Sequence, residues 1–117
     1  MTDFSSQQSR LTDGLGLIEL SGEVDLYTAP RFKDDLVALI ESGVEQVLVD
    51  LSRVTFIDST ALGVIISGVK RLAERDGGLA IVAGSRPVVR ILDVTGLDKV
   101  LAVFDTREAA LATLAAL

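Results

Sequence analysis

Apolar and polar positions alternate along the chain in two rhythms, short strand-like runs and longer helix-like runs. Leu15 to Gly22 predicts one strand, and the nearly continuous apolar run from Gln46 to Leu51 predicts a central strand that is buried on both faces. Residues 79–83 and 99–104 predict two further strands, and residues 3–9 form an edge strand at best. The pattern therefore predicts about five short strands separated by longer segments.

Those longer segments carry the signals of four helices. The capping residues that would begin them are Thr28, Asp58, Ser85 and Asp105. Pro30 stands in the first helical turn, where a missing N–H costs little, and Gly43 and Gly96 stand where helices end. Glu108, three residues after its capping residue, predicts a capping box at the last helix. That helix has an apolar face that we expect to pack on the sheet, made of Leu111, Leu114 and Leu117.

The elements follow one another in the order ββαβαβαβα, with residues 52–57 as a loop between the third strand and the second helix. Strands joined by crossover helices give a largely parallel sheet with right-handed connections, and the first two strands add an antiparallel edge. We expect an α/β fold with a mostly parallel sheet of about five strands and about four helices. At this length it forms a single domain over residues 1–117.

The composition excludes several classes of function. The 117 residues include no Cys and no His, which removes thiolate nucleophiles, the Ser-His-Asp arrangement and Cys- or His-ligated metals. With 11 basic and 17 acidic residues the net charge is −6, so we expect no nucleic-acid partner. No apolar run approaches the ~20 residues that span a bilayer, and no secretory signal is visible. We therefore expect a cytoplasmic protein without direct membrane insertion, cofactor, metal or catalytic residues.

The start of the second helix is the most informative segment of the chain. With Asp58 as the N-cap, Ser59 and Thr60 lie in the first turn, among unpaired N–H groups at the positive end of the helix dipole. Apolar residues at helical spacing form one stripe: Leu62, Ile65, Ile66, Val69, Leu72 and Ala73. The other face holds mostly small residues, which allow another protein to approach closely: Ser59, Gly63, Ser67 and Lys70 or Arg71.

Two interpretations of this segment stay open from the residues alone. Clusters of Asp, Ser and Thr begin many helices simply as caps. Alternatively, Ser59 accepts a phosphate, which adds roughly −1.5 to −2 charges and three acceptor oxygens. A helix N-terminus tolerates such an anion, so the phosphate would act on a docked partner and not on folding. Asp25, after the early strand, is likewise either a turn residue or part of the same surface.

Three blocks of the sequence resemble the STAS domain, and specifically its small single-domain anti-sigma factor antagonists. The first is Asp58-Ser59-Thr60-Ala61-Leu62-Gly63, which is similar to the family's signature at the start of the second helix, with Ala61 where Gly is frequent. The second is Ser21-Gly22-Glu23-Val24-Asp25 after the early strand. The third runs from Arg86-Pro87-Val88 to Thr95-Gly96-Leu97. The three blocks span nearly the whole chain in matching order.

The resemblance implies a protein–protein switch in sigma-factor regulation. Unphosphorylated antagonists of this kind bind an anti-sigma factor and so release the sigma factor. The anti-sigma factor is also a serine kinase, whose phosphorylation of the antagonist breaks the complex, and a serine phosphatase restores the active form. By this resemblance the phosphoacceptor is Ser59. The expected partner-binding residues are Asp25, Asp58, Ser59, Thr60, Gly63 and Ser67.

Two other functions compete with this one. A STAS protein can serve as a scaffold or accessory subunit of a larger signalling or membrane-associated assembly, without a phosphate switch. A small enzyme built on Asp25, Asp58 and Ser59 would have to rely on carboxylates or a bound metal, and no paired-carboxylate spacing favours it. We therefore expect a binding protein.

Overall fold

The computed structural model describes residues 3–114 and has the predicted order of elements. In chain order these are β1 (Ser5–Arg10), β2 (Leu15–Val24), α1 (Ala29–Glu41), β3 (Gln46–Ile57), α2 (Ser59–Ala73), β4 (Gly78–Val82), α3 (Arg86–Thr95), a 3-10 turn (Leu97–Lys99), β5 (Ala102–Phe104) and α4 (Arg107–Leu114). The predicted order ββαβαβαβα is confirmed.

The five strands form one sheet in the order β1-β2-β3-β4-β5. β1 pairs antiparallel with β2, whereas every later neighbour pair is parallel. The parallel strands follow one another in sequence order, so each crossover advances the sheet by one strand. The predicted mostly parallel sheet with an antiparallel edge is confirmed.

The sheet buries both of its faces. Alternate residues of β3, such as Val47 and Val49, face a large core that α1, α2 and α3 cover. Leu48 faces the opposite side, where Ala110 of α4 closes a smaller cluster. Among residues 3–114, no helix is long and apolar enough to cross a membrane.

Strand β3 is longer than the sequence predicted. Residues 52–57, expected to form a loop, continue the strand and stay paired with β2 as far as Val24↔Ile57. The pairing shifts register between Glu19 and Ser21 and again between Gly22 and Glu23. These irregularities break the alternation of buried and exposed residues that marks a strand in the sequence, so the prediction of a loop was wrong.

The second half of β3 has a helix beside it in place of a strand. β4 pairs only with residues 46–50 of β3, and α3 packs against β3 beyond that point. The Ser85 hydroxyl donates to the Val54 carbonyl at 2.9 Å, and it makes no cap bond to its own helix. Ser85 was correctly predicted to stand before a helix, but its side chain ties that helix to the edge of β3.

Two boundaries near the C-terminus also differ from the prediction. β5 begins at Ala102 and not at Lys99, because the 3-10 turn buries Leu97 before the strand starts. At α4 the expected capping box does not form; the Thr106 hydroxyl accepts the Ala109 N–H at 3.1 Å. The expected packing of the helix is present at its half-buried leucines, Leu111 and Leu114, whereas Leu117 lies outside the described residues.

Candidate functional site

Two carboxylates stand at neighbouring strand ends. Val24 and Ile57 are register partners at the ends of β2 and β3, and the Asp58 N–H donates to the Val24 carbonyl at 3.2 Å. Asp25 and Asp58 come directly after these paired residues. The topology therefore brings both predicted acidic residues to the carboxyl ends of neighbouring strands, beside the start of α2.

Asp58 is the N-cap of α2, as predicted. Its Oδ1 accepts the N–H groups of Thr60 at 2.9 Å and Ala61 at 3.2 Å. Each is a charge-assisted bond to a donor that no preceding helical turn can satisfy. An aspartate cap is worth about 1 kcal/mol to the helix, so Asp58 has a structural role whatever else it does.

Ser59 is the first residue of α2, and its side chain is exposed. Its hydroxyl makes no hydrogen bond within residues 3–114, because the adjacent Asp58 already provides the cap. Thr60 is half-buried by comparison. Of the two hydroxyls in the first turn, the one on Ser59 is more accessible to another protein.

Asp25 organises the turn between β2 and α1. Its Oδ1 accepts the Tyr27 N–H at 2.9 Å and the Thr28 N–H at 3.1 Å, and the Thr28 hydroxyl accepts the Asp25 N–H at 2.9 Å. Thr28 does occupy the N-cap position, but its hydroxyl donates to the Glu23 carbonyl at 2.8 Å and makes no bond to the helix amides. The turn interpretation of Asp25 thus has a clear structural basis, and its binding role stays a prediction.

One face of α2 is open and built from small residues. Ser59, Gly63 and Ser67 are all exposed, and a Cβ added to Gly63 would meet nothing within 4 Å. Ile66 lies on this face as well, one helical turn from Gly63, and it is exposed. Ile66 and Ala73 were expected in the buried stripe, which is narrower than predicted because α1 contacts α2 at Gly68, where the missing side chain makes room for Leu36.

Apolar side chains that the sequence analysis missed are exposed at the same carboxyl ends of β2 and β3. Leu26 is 63% exposed and Tyr27 is 87% exposed in the turn after Asp25, and Phe56 near the end of β3 is 45% exposed. Leu26 and Tyr27 stand inside the Asp25–Thr28 turn, where neither can reach the core. The signal for this exposed pair was available in the sequence, because the two apolar residues stand between an aspartate and a threonine that form a turn.

Known proteins resemble this chain in sequence over most of its length. The family model of the STAS domain matches residues 6–110. The chain belongs to the STAS domain family. An anti-sigma-B factor antagonist from Staphylococcus epidermidis is 34% identical to this STAS domain over 91 residues, which are 78% of this chain and 84% of that protein. The predicted family and the predicted resemblance to anti-sigma factor antagonists are confirmed.

Solved structures share the fold of this STAS domain. An anti-sigma factor antagonist from Mycobacterium paratuberculosis is 27% identical, with a TM-score of 0.87 over 95% of this chain and 93% of that one. SpoIIAA, a Bacillus cell fate determinant solved in its phosphorylated form, is 20% identical and has a TM-score of 0.74 over 94% of this chain and 99% of that one. At that lower identity the likeness concerns the fold.

Away from Ser59, a charged cluster lies on the α4 side of the sheet in this STAS domain. Arg107 at the start of α4 donates to the buried Asp50 carboxylate at 2.8 Å and to Glu19 at 2.6 Å. Burial raises the pKa of Asp50, but hydrogen bonds from Ser52 and Arg107 outweigh it and leave the pKa below its ordinary value. The bonds to Glu19 and then Asp50 raise the pKa of Arg107. Since every group in it is paired, the cluster holds α4 on the sheet.

Among the described residues, the carboxylates do not gather into a metal centre. Across residues 3–114, no three His, Cys, Asp or Glu side chains lie close enough together to hold a metal ion. The arrangement at Ser59 offers a free hydroxyl, two acidic neighbours and an open helix face. Chemically, that suits a surface that binds a protein and is modified by one.

Proposed function

We propose that this chain is an anti-sigma factor antagonist whose binding is switched by phosphorylation of Ser59. In the cytoplasm, its unphosphorylated form binds an anti-sigma factor that is also a serine kinase, and so releases the sigma factor. Phosphate on Ser59 breaks the complex, and a serine phosphatase removes it. The observation that carries the proposal is the exposed Ser59 hydroxyl at the first position of α2, without a hydrogen-bond partner within residues 3–114.

The position of Ser59 favours a switch in binding over a switch in folding. The Ser59 side chain lies outside both cores, so a phosphate displaces no packed group. The helix dipole is favourable to an anion there, by roughly 0.3–1 kcal/mol at an exposed site. We expect the phosphorylated domain to keep its fold, as SpoIIAA does in its phosphorylated form.

The phosphate would lower the affinity of the complex with the partner. A protein docked over Ser59, Gly63 and Ser67 comes close to the helix because these residues are small. A dianionic phosphate then occupies the contact and must lose water without a designed counter-charge. Unfavourable charge placement in an interface costs several kcal/mol, and about 3 kcal/mol corresponds to a more than hundredfold loss of affinity.

The remaining site residues have supporting roles in this proposal. Asp58 orients the first turn, and Asp25 holds Leu26 and Tyr27 outward beside it. Thr60 contacts the partner in this proposal, and its half-buried hydroxyl is less accessible to a kinase than the exposed hydroxyl of Ser59. In the proposal the chain is a binding partner and a kinase substrate, and it has no catalytic activity of its own.

The test combines phosphopeptide mapping with binding to the anti-sigma factor encoded in the same genome. Incubation with that protein and ATP should modify Ser59, and Ser59→Asp should weaken binding by a hundredfold or more in calorimetry. Ser9→Asp is the matched control, since Ser9 is exposed on β1 opposite Leu17, near the other end of the sheet. Modification at another residue, or full affinity of Ser59→Asp, would falsify the switch and favour a non-switching scaffold.

A further inference from the structure

A second surface feature begins three residues before Ser59. Because β4 ends early, α3 packs along the last residues of β3 and leaves a groove of about 330 Å³ between them. We call this the α3 groove; it is lined by Phe56, Ile57, Pro87, Arg90, Ile91 and Val94. It is large enough to receive one or two side chains of another protein.

The lining of the α3 groove is apolar and partly uncovered. Ile57 is buried and Ile91 is half-buried, so they form its floor, whereas Phe56 is 45% and Val94 is 73% exposed at its sides. α3 uses Val88 and Leu92 for its own packing on the core. Val94 is therefore not required to attach the helix, and the groove presents apolar area that water now covers.

Arg90 lines the α3 groove, and Arg86 lies in an adjoining hollow that Asp93 and Asp98 also line. Arg86 and Arg90 are exposed one turn apart on α3, in a chain whose net charge is −6. Neither forms a salt bridge or a side-chain hydrogen bond within the described range 3–114, unlike Arg107 and Arg31. The unpaired Arg90 guanidinium in an otherwise apolar groove is complementary to a segment that has an apolar side chain and a neighbouring carboxylate.

Distance places the α3 groove within reach of a protein that covers Ser59. Three residues of extended chain span at most about 11 Å, which bounds the separation of Phe56 and Ser59 along the backbone. A standard interface buries about 800 Å² on each partner, the area of a disc of roughly 16 Å radius. A partner centred on Ser59 can thus reach the Phe56 end of the groove.

We propose that the α3 groove binds an apolar side chain from an acidic segment of the same anti-sigma factor that covers Ser59. This inference rests on the proposed function, and it assigns affinity and regulation to different parts of the same interface. The groove contributes affinity through apolar burial and Arg90, while Ser59 carries the regulation. Phosphorylation leaves the groove unchanged, so affinity and switching respond to different substitutions.

A matched pair of variants tests the α3 groove. Val94→Glu introduces a carboxylate at the groove, and Val100→Glu makes the same change at an equally exposed site, 73% against 71%, beside Gly77 and Gly78 at the other end of the sheet. Calorimetry with the unphosphorylated protein should give at least a tenfold weaker complex for Val94→Glu and an unchanged one for Val100→Glu. Arg90→Gln should weaken binding severalfold and reduce the dependence of binding on salt. This second variant tests the groove even if Val94→Glu does not fold.

The outcomes separate this inference from the switch. If Ser59→Asp releases the anti-sigma factor while Val94→Glu and Arg90→Gln both bind like the wild type, the groove is not part of the interface and the inference is overturned. If both groove variants weaken binding while Ser59→Asp does not, the groove is supported and the phosphate switch falls. Equal weakening by Val94→Glu and Val100→Glu also overturns the inference, because the effect is then not local.

Discussion

Replacing Arg107 with Met tests whether its contact with Asp50 fixes α4 to the sheet. The Asp50 side chain is only 4% exposed, so the change leaves a buried carboxylate with Ser52 as its one side-chain partner among residues 3–114. Removing one member of a fully buried ion pair costs about 3–5 kcal/mol. Because Arg107 is 39% exposed, water replaces part of it, and we expect a loss of about 2 kcal/mol. The contact with Glu19 adds little, since both side chains are more than a third exposed.

The assay is thermal unfolding of four proteins: the wild type, Arg107→Met, Asp50→Asn and the double variant. A loss of about 2 kcal/mol should lower the Tm by about 8 °C in a domain of this size. The pKa of Asp50 is lowered by folding, so the contribution of its charge is fully present above the ordinary value of 3.8 and is lost as the pH falls through the lower folded value. If Arg107→Met costs as much in the Asp50→Asn background as in the wild type, the ion pair is not what holds α4.

Three further predictions concern single residues. Gly63→Ala should raise the free energy of unfolding by about 0.5–1 kcal/mol in urea titrations, since it removes a helical glycine with open space around it. Gly63→Gln should instead weaken partner binding, and unchanged binding by this variant would mean that the face is free in the complex. Gly77→Ala should lower the same free energy by about 3 kcal/mol, because its Cβ would lie 1.9 Å from the Glu45 carbonyl oxygen, and Gly14→Ala, with nothing within 4 Å, should not. Tyr27→Ala should leave the Tm unchanged and weaken the complex about tenfold, as expected for an exposed aromatic anchor; a lower Tm would instead assign Tyr27 to the fold.

Local signals were sufficient to predict the start of α2 and the order of the elements. A cap such as Asp58 acts on amides two and three residues away, so its effect can be inferred from neighbouring letters of the sequence. The termination of α3 at Gly96 is local in the same way, since that residue adopts a left-handed conformation with φ of 77°. Such features account for the exposed position of Ser59, which follows once Asp58 is the N-cap.

Features that depend on distant parts of the chain could not be predicted. β3 continues to Ile57 because β2 continues beside it, and the shifts in register conceal this in the sequence pattern. Arg107 meets Asp50 across 57 positions of sequence, and nothing near either residue indicates the contact. The α3 groove likewise exists only because β4 stops at Val82 while β3 runs on.

Ser59 has acidic neighbours, and these bear on how a phosphate would act. Asp25 and Asp58 lie at the strand ends beside it, whereas Arg90 lines the α3 groove. Asp58 already occupies two amides of the first turn of α2, so the helix can compensate only part of an added dianion. A phosphate would therefore add negative charge beside Asp25 and Asp58 and leave the α3 groove as it is. A partner whose charges match the unmodified surface would then be repelled at Ser59, so the proposed switch would lose binding without unfolding the domain.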